Sequence, residues 1–223
     1  MTSIKKLYLV SYNLACATGW GFVLFLCLKN FAAQAEPQAL YDDVEKVLQI
    51  VQTAALMEVL HALFGVVRSP WLTTMFQVAS RLILVWAFLW AVPSTQAQIG
   101  AVLCITSWAA VEIPRYLFYA SGVLGSCPYA LFYLRYSLFF VLYPTGIAGE
   151  VMTVLAALPE LEDSKDSLSL GVGPVRVSGY LASIALLLLY VPIGPFLYMY
   201  MVGNRRIAFK KRQAISDKKI KPQ

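Results

Sequence analysis

Tyr180–Val202 reads YLASIALLLLYVPIGPFLYMYMV, 23 residues without one ionised side chain. At about 1.5 Å of helix rise per residue, such a run crosses a hydrocarbon core of about 30 Å with a little to spare. Five further stretches are apolar and long enough to do the same: Leu7–Phe31, Val47–Val67, Trp71–Val92, Ile99–Tyr119 and Tyr129–Leu158. The composition of the whole chain agrees. Of 223 residues, 59% are hydrophobic and 13% charged, with a mean hydropathy of +0.66, whereas ordinary soluble domains carry about 25% charge. There is too little polar surface to cover an apolar core in water. The expected fold is therefore all-α, a polytopic membrane bundle of six transmembrane helices over residues 1–203 with a basic tail over 204–223.

Charge placement orients the bundle. The formal net charge is +6, but eight of the 18 Lys and Arg lie between Arg205 and Lys221, which describes a tail and not a nucleic-acid surface. Lys5, Lys6, Arg68, Arg115 and Arg135 mark the same side as the tail. Glu36, Asp42, Asp43 and Glu45 occupy the connection Ala32–Lys46, and Glu160, Glu162, Asp163 and Asp166 occupy Pro159–Gly179. The bias of Lys and Arg toward cytoplasmic loops places both termini in the cytosol, and an even number of spans agrees. Lys5 and Lys6 ahead of an apolar run, with Ala33-Gln34-Ala35 behind it, resemble a secretory leader. The apolar part of a leader is only about 7 to 15 residues, so Leu7–Phe31 is expected to remain as the first span. Cys16, Cys27, Cys104 and Cys127 lie in or beside apolar runs without ligand spacing, so neither a disulfide framework nor a metal site is expected. Pro114, Pro144, Pro192 and Pro195 fall inside spans and predict kinks.

The residues that a mere anchor would not carry are Glu58, His61, Gln77, Arg81, Glu112, Arg115, Arg135, Tyr143 and Glu150. A charge at bilayer depth costs at least about 2.5 to 3.5 kcal/mol on insertion scales, so such groups face a bundle interior and mark function. Glu58 and Arg81 lie midway along adjacent antiparallel spans, with Gln77 one turn before Arg81, and an ion pair between them is expected. It serves either helix register or catalysis. Glu112 and Arg115, three residues apart, can pair with each other. Arg68, Arg115 and Arg135 together can form a basic cytosolic mouth that holds phosphate, or can simply snorkel to lipid headgroups.

The densest signal is Arg135–Glu150, RYSLFFVLYPTGIAGE. Seven residues separate Tyr143 from Glu150, nearly two turns, which sets them on one helix face about 10 Å apart along the axis. A phenol with a reference pKa near 10 is protonated at neutral pH and can donate, while a carboxylate, near 4.3, can accept. The pair is chemically complete for elimination of water. Tyrosine alone is weak evidence, since it commonly anchors helices at interfaces, but Glu150 is flanked by apolar residues and has no such explanation.

His61-Ala62-Leu63-Phe64-Gly65-Val66-Val67-Arg68-Ser69 fits the phosphatase loop H-C-x-x-G-x-x-R-[ST] except that Ala62 replaces the cysteine. That chemistry needs a thiolate, so phosphatase activity is excluded, and His61 is read as a core residue or a neighbour of Glu58. With this spoiled motif, Glu58–Gly65, Val67–Pro70, Arg115-Tyr116 and Leu134–Glu150, the chain resembles over nearly its whole length the 3-hydroxyacyl-CoA dehydratases of very-long-chain fatty acid elongation. These are also called protein tyrosine phosphatase-like, and plant PASTICCINO-type members look most similar. The resemblance implies a six-span enzyme of the endoplasmic reticulum that converts a (3R)-3-hydroxyacyl-CoA to the trans-2-enoyl-CoA, with no cofactor beyond the CoA of the substrate. It implies catalytic roles for Tyr143 and Glu150, supporting roles for Glu58, Gln77, Arg81, Arg135 and Gly146, and other elongation-cycle enzymes as partners. Family members often carry Glu-Ile-Ile-Arg-Tyr where this chain has Glu112-Ile113-Pro114-Arg115-Tyr116. Lys219-Ile220-Lys221-Pro222-Gln223 resembles a dilysine retrieval signal. The rival classes are a small transporter, which would carry a water path and often inverted repeats, and a catalytically silent scaffold, which would have lost Tyr143 or Glu150.

Overall fold

The computed structural model describes residues 2–67, 69–163, 169–172 and 175–220. Its architecture is a helical membrane bundle. Among the described residues, eight α-helices follow in chain order: α1 (Ser3–Ala32), α2 (Pro37–Ala54), α3 (Leu56–Leu63), α4 (Trp71–Ile83), α5 (Ile99–Leu124), α6 (Tyr129–Ser137), α7 (Phe139–Asp163) and α8 (Gly179–Ile220). α4 continues as a π-helical stretch over Leu84–Trp90, and β1 (Ser169–Val172) and β2 (Val175–Ser178) form an antiparallel hairpin between α7 and α8. Among the described residues, five helical segments are long and apolar enough to cross a membrane: Ser3–Ala32, Trp71–Trp90, Ile99–Leu124, Phe139–Asp163 and Gly179–Ile215.

α5 is the central helix, with α1 and α7 packed along it. Its buried residues Ala101, Ile105, Trp108, Glu112, Tyr116 and Ala120 recur every three or four positions, which makes one continuous inward stripe. Around it, Trp20 and Val23 of α1, Leu48 of α2, Leu84 and Leu89 of the π-helical stretch, and Val154 of α7 are almost wholly buried. Phe22, Phe25, Trp86, Trp90, Val141, Leu188 and Phe196 are exposed. In water so many bare aromatic and aliphatic side chains would drive association; in lipid they are the solvated surface.

The expected second span, Val47–Val67, is not one helix. α2 begins at Pro37, ten residues early, and ends at Ala54; after a break at Ala55, α3 runs only to Leu63. Much of the acidic connection Ala32–Lys46 is therefore helical. Pro37 stands at the first helical position, where its missing N–H costs nothing, and Leu40, Tyr41, Val44, Leu48 and Val51 lay an apolar stripe against the core. The acidic residues take the other face, so α2 is amphipathic. The expected fifth span also divides, at Leu138, between α6 and α7. Pro144 lies inside α7 and Pro114 inside α5, and both helices run through them. The polar tail continues α8: Arg205 stacks on Phe140 and Phe209, and Arg212 on Tyr129 and Phe132 of α6.

α5 and α7 meet backbone to backbone. A Cβ on Gly149 would lie 2.5 Å from the Cys104 amide nitrogen and 2.8 Å from the Gly100 carbonyl oxygen, and one on Gly100 would lie 2.9 Å from the Thr153 nitrogen. Small residues permit such close crossing in lipid, where dispersion and not water expulsion drives helix association. Gly149→Ala is therefore expected to push the two helices apart and destabilise the protein by about 1 to 3 kcal/mol, the usual cost of overpacking. Thermal unfolding in detergent measures this. Gly146→Ala, whose Cβ would meet only the Ser107 Cβ at 3.5 Å, is the matched control and should leave the midpoint nearly unchanged.

Candidate active site

Glu150 lies near the middle of α7, half-buried, with both carboxylate oxygens occupied. The Trp108 indole Nε1 donates to Oε1 at 2.9 Å and the Tyr190 hydroxyl donates to Oε2 at 2.7 Å. Tyr143, two turns earlier, donates its hydroxyl to the Gly194 carbonyl at 3.0 Å. Its ring leans on Tyr198 with centroids 6.1 Å apart. Both side chains thus meet α8, and their partners Tyr190 and Gly194 are one turn apart, about 6 Å along that axis. The two residues are about 10 Å apart along α7 and their partners about 6 Å apart along α8, so the phenol and the carboxylate lean toward one region of the facing helix.

A chain of buried charges lies behind Trp108. Arg115 of α5 grips Glu58 of α3 with two parallel bonds of 2.7 Å and donates its Nε to Glu112 at 2.6 Å. Glu112 also takes the Arg81 guanidinium, and Tyr116 donates to Glu58. Arg81 in turn lies over the Trp108 ring, 5.6 Å from its centroid. Glu58, Arg115, Glu112, Arg81, Trp108 and Glu150 therefore form one connected series from α3 to α7. The bidentate geometry of Arg115 is the strong form of a charge-assisted hydrogen bond, and the two guanidinium groups balance Glu58 and Glu112.

The expected Glu58–Arg81 pair does not form. α3 and α4 each send their charge to the pair already on α5: Glu58 to Arg115 and Arg81 to Glu112. The expected Glu112–Arg115 contact is present. Arg115 faces two carboxylates instead of an open mouth. Arg135 donates weakly to the Tyr119 hydroxyl at 3.4 Å and lies over Tyr119 and Tyr136. Arg68 is outside the described residues. Gln77 is exposed on α4, one turn from Arg81. Gly146 is buried in the interior of α7, where amides are turned to the carbonyl four residues back. His61 is a core residue: it is buried, bonds the Tyr8 hydroxyl at 2.8 Å and packs edge-on against Tyr12.

Trp108 and Tyr190 are the site residues that sequence reading passed over. Both carried a signal. Tryptophan usually sits at membrane interfaces, and one in the middle of a span, with an N–H to satisfy, needs an acceptor inside the bundle. Tyr190 is a hydroxyl midway along the opening run Tyr180–Val202.

Residues 52–211 match the family described as protein tyrosine phosphatase-like protein, PTPLA. A very-long-chain (3R)-3-hydroxyacyl-CoA dehydratase, hpo-8, of Caenorhabditis elegans is 41% identical over 207 residues, covering 89% of this chain and 93% of that protein. The rice dehydratase PASTICCINO 2A is 39% identical, covering 96% and 97%, and human dehydratase 2 is 38% identical, covering 89% and 79%. No solved structure matches the chain. With the match spanning most of the sequence and relatives near 40% identity end to end, the chain belongs to the protein tyrosine phosphatase-like, PTPLA, family.

Proposed function

We propose that this protein is a hydro-lyase that removes water from a very-long-chain (3R)-3-hydroxyacyl-CoA to give the trans-2-enoyl-CoA, within fatty acid elongation. The observation that carries the reading is the placement of Glu150 and Tyr143 on one face of α7, both engaged by α8 one turn apart, in a family whose named members are such dehydratases. Glu150, held by two neutral donors and by no cation among the described residues, is suited to be the base. Tyr143, a phenol that keeps its proton at neutral pH, is suited to be the acid.

In the proposed reaction a Glu150 oxygen takes the proton from C2, the C2–H electron pair becomes the C2=C3 bond, and the C3–O bond breaks. The departing hydroxide takes the Tyr143 proton and leaves as water; a return of the proton from Glu150 to the tyrosinate resets the site. The acyl chain lies in the bundle. Arg81, half-buried beside Trp108, is placed to polarise the thioester, and Glu58, through Arg115 and Glu112, holds Arg81 there. The CoA phosphates fall to Arg135 and Arg68 at the cytosolic end, since Arg115 is spent on carboxylates. Gln77, one turn from Arg81 on an open face, and Gly146, which leaves room beside Ser107, are read as substrate contacts.

The proposed topology has six crossings, the second made by the broken α2–α3 unit, with both termini cytosolic in the endoplasmic reticulum membrane. The dilysine signal falls on Lys219 and Lys221, of which Lys221 is outside the described residues. Other elongation-cycle enzymes are the proposed partners. The test is direct: the purified protein, in detergent or bilayer, is given a long-chain (3R)-3-hydroxyacyl-CoA and the enoyl product is measured by mass. Conversion is expected. Its absence, with the protein folded and monodisperse, would overturn the reading in favour of a silent scaffold.

A further inference from the structure

The two donors on Glu150 are not equivalent. An indole N–H can only donate, so Trp108 holds Oε1 as an acceptor whatever the charge of the carboxyl group. A phenol both donates and accepts. The Tyr190 hydroxyl at 2.7 Å can donate to Oε2 while Glu150 is a carboxylate, then rotate and accept from Oε2–H once the carboxyl has taken a proton. Tyr190 is thus the group able to keep the carboxyl in one place before and after proton uptake. It does so from the same α8 face whose Gly194 carbonyl, four residues on, receives the Tyr143 hydroxyl. One turn of α8 therefore fixes the spacing of both reacting groups.

We infer that Tyr190 is a positioning residue for dehydration, which holds Oε2 of Glu150 as the oxygen that receives the C2 proton. The inference rests on the dehydratase reading, and deepens it by adding a third side chain whose hydroxyl, and not merely its ring, is required. Tyr198, which touches the Tyr143 ring through its own ring, has no such hydroxyl requirement and supplies the comparison.

The test uses the full chain with Tyr190→Phe, which keeps the ring and removes the hydroxyl. Turnover should fall by about 10- to 100-fold, what one hydrogen bond to a charged group supplies, while KM for the acyl-CoA stays within about twofold because substrate binding is untouched. The primary isotope effect with substrate deuterated at C2 should increase, as proton abstraction becomes the slow step. Tyr198→Phe should change none of these. A readout independent of turnover is the Glu150 carboxyl band in infrared difference spectra, identified by its loss in Glu150→Gln; it should shift in Tyr190→Phe and not in Tyr198→Phe. An unshifted band, or Tyr190→Phe turnover equal to wild type while Glu150→Gln is inactive, overturns the inference and leaves the dehydratase reading standing. A band that shifts in Tyr190→Phe, together with a wild-type protein that makes no enoyl product, keeps the Tyr190 contact and removes the reaction.

Discussion

Glu150→Gln and Tyr143→Phe are each expected to lower dehydration of a long-chain 3-hydroxyacyl-CoA by about 100- to 10,000-fold, the range spanned by a single acid or base role. Both replacements keep size and most packing. In Glu150→Gln the new amide carbonyl would still accept the Trp108 N–H, but an amide cannot take a proton from C2. In Tyr143→Phe the ring contact with Tyr198 is kept and only the bond to the Gly194 carbonyl is lost. Membrane insertion and the thermal midpoint should therefore be close to wild type, and the loss should lie in kcat. The double variant should be little worse than the worse single one, because two groups that act in one step are not additive. Near-native turnover in either single variant would remove that residue from the mechanism.

The second large effect is on stability. Glu112, almost fully buried, is the carboxylate between Arg81 and Arg115. Glu112→Gln leaves two guanidinium groups with one carboxylate, and uncovering a buried charge in this way costs about 3 to 5 kcal/mol. Arg115 keeps its bidentate bond to Glu58. Arg81 keeps no ion-pair partner among the described residues. The expected result is a marked fall in thermal midpoint, with poor recovery of folded protein from membranes. Adding Arg81→Gln should restore part of the stability, since it removes the orphaned charge and lets two amides pair. Such coupling is what a double-mutant cycle detects between direct partners. If the double variant is less stable than Glu112→Gln by the full effect of Arg81→Gln alone, the two residues are not coupled.

Much of this protein can be read without coordinates, because lipid imposes simple rules. Apolar run length fixes which segments cross, since every span must satisfy its own backbone. For that reason the ends of Ile99–Tyr119, Trp71–Val92 and Leu7–Phe31 lie close to those of α5, of α4 with its π-helical extension, and of α1. The rule fails at Val47–Val67, where apolar length cannot show that a second, amphipathic stripe beginning at Leu40 captures the chain first. Leu138 is a similar case: the break between α6 and α7 lies six residues before Pro144, and nothing in RYSLFFVLYP marks Leu138.

The sequence by itself determined that Arg81, Glu112, Arg115, Tyr143 and Glu150 lie in segments long and apolar enough to cross a membrane, and that Tyr143 and Glu150 share a helix face, because both follow from hydropathy and a period of 3.6 residues. Tertiary structure alone decided who meets whom. Glu58 and Arg81 have opposite charge and a similar place along their segments, yet both turn to α5, where Glu112 and Arg115 lie within reach of two helices at once. Trp108 and Tyr190 reach Glu150 because Gly100 and Gly149 let α5 and α7 touch, and because α8 runs antiparallel beside α7. Pairing across helices depends on interhelical distance and rotation, and neither is written in any single helix.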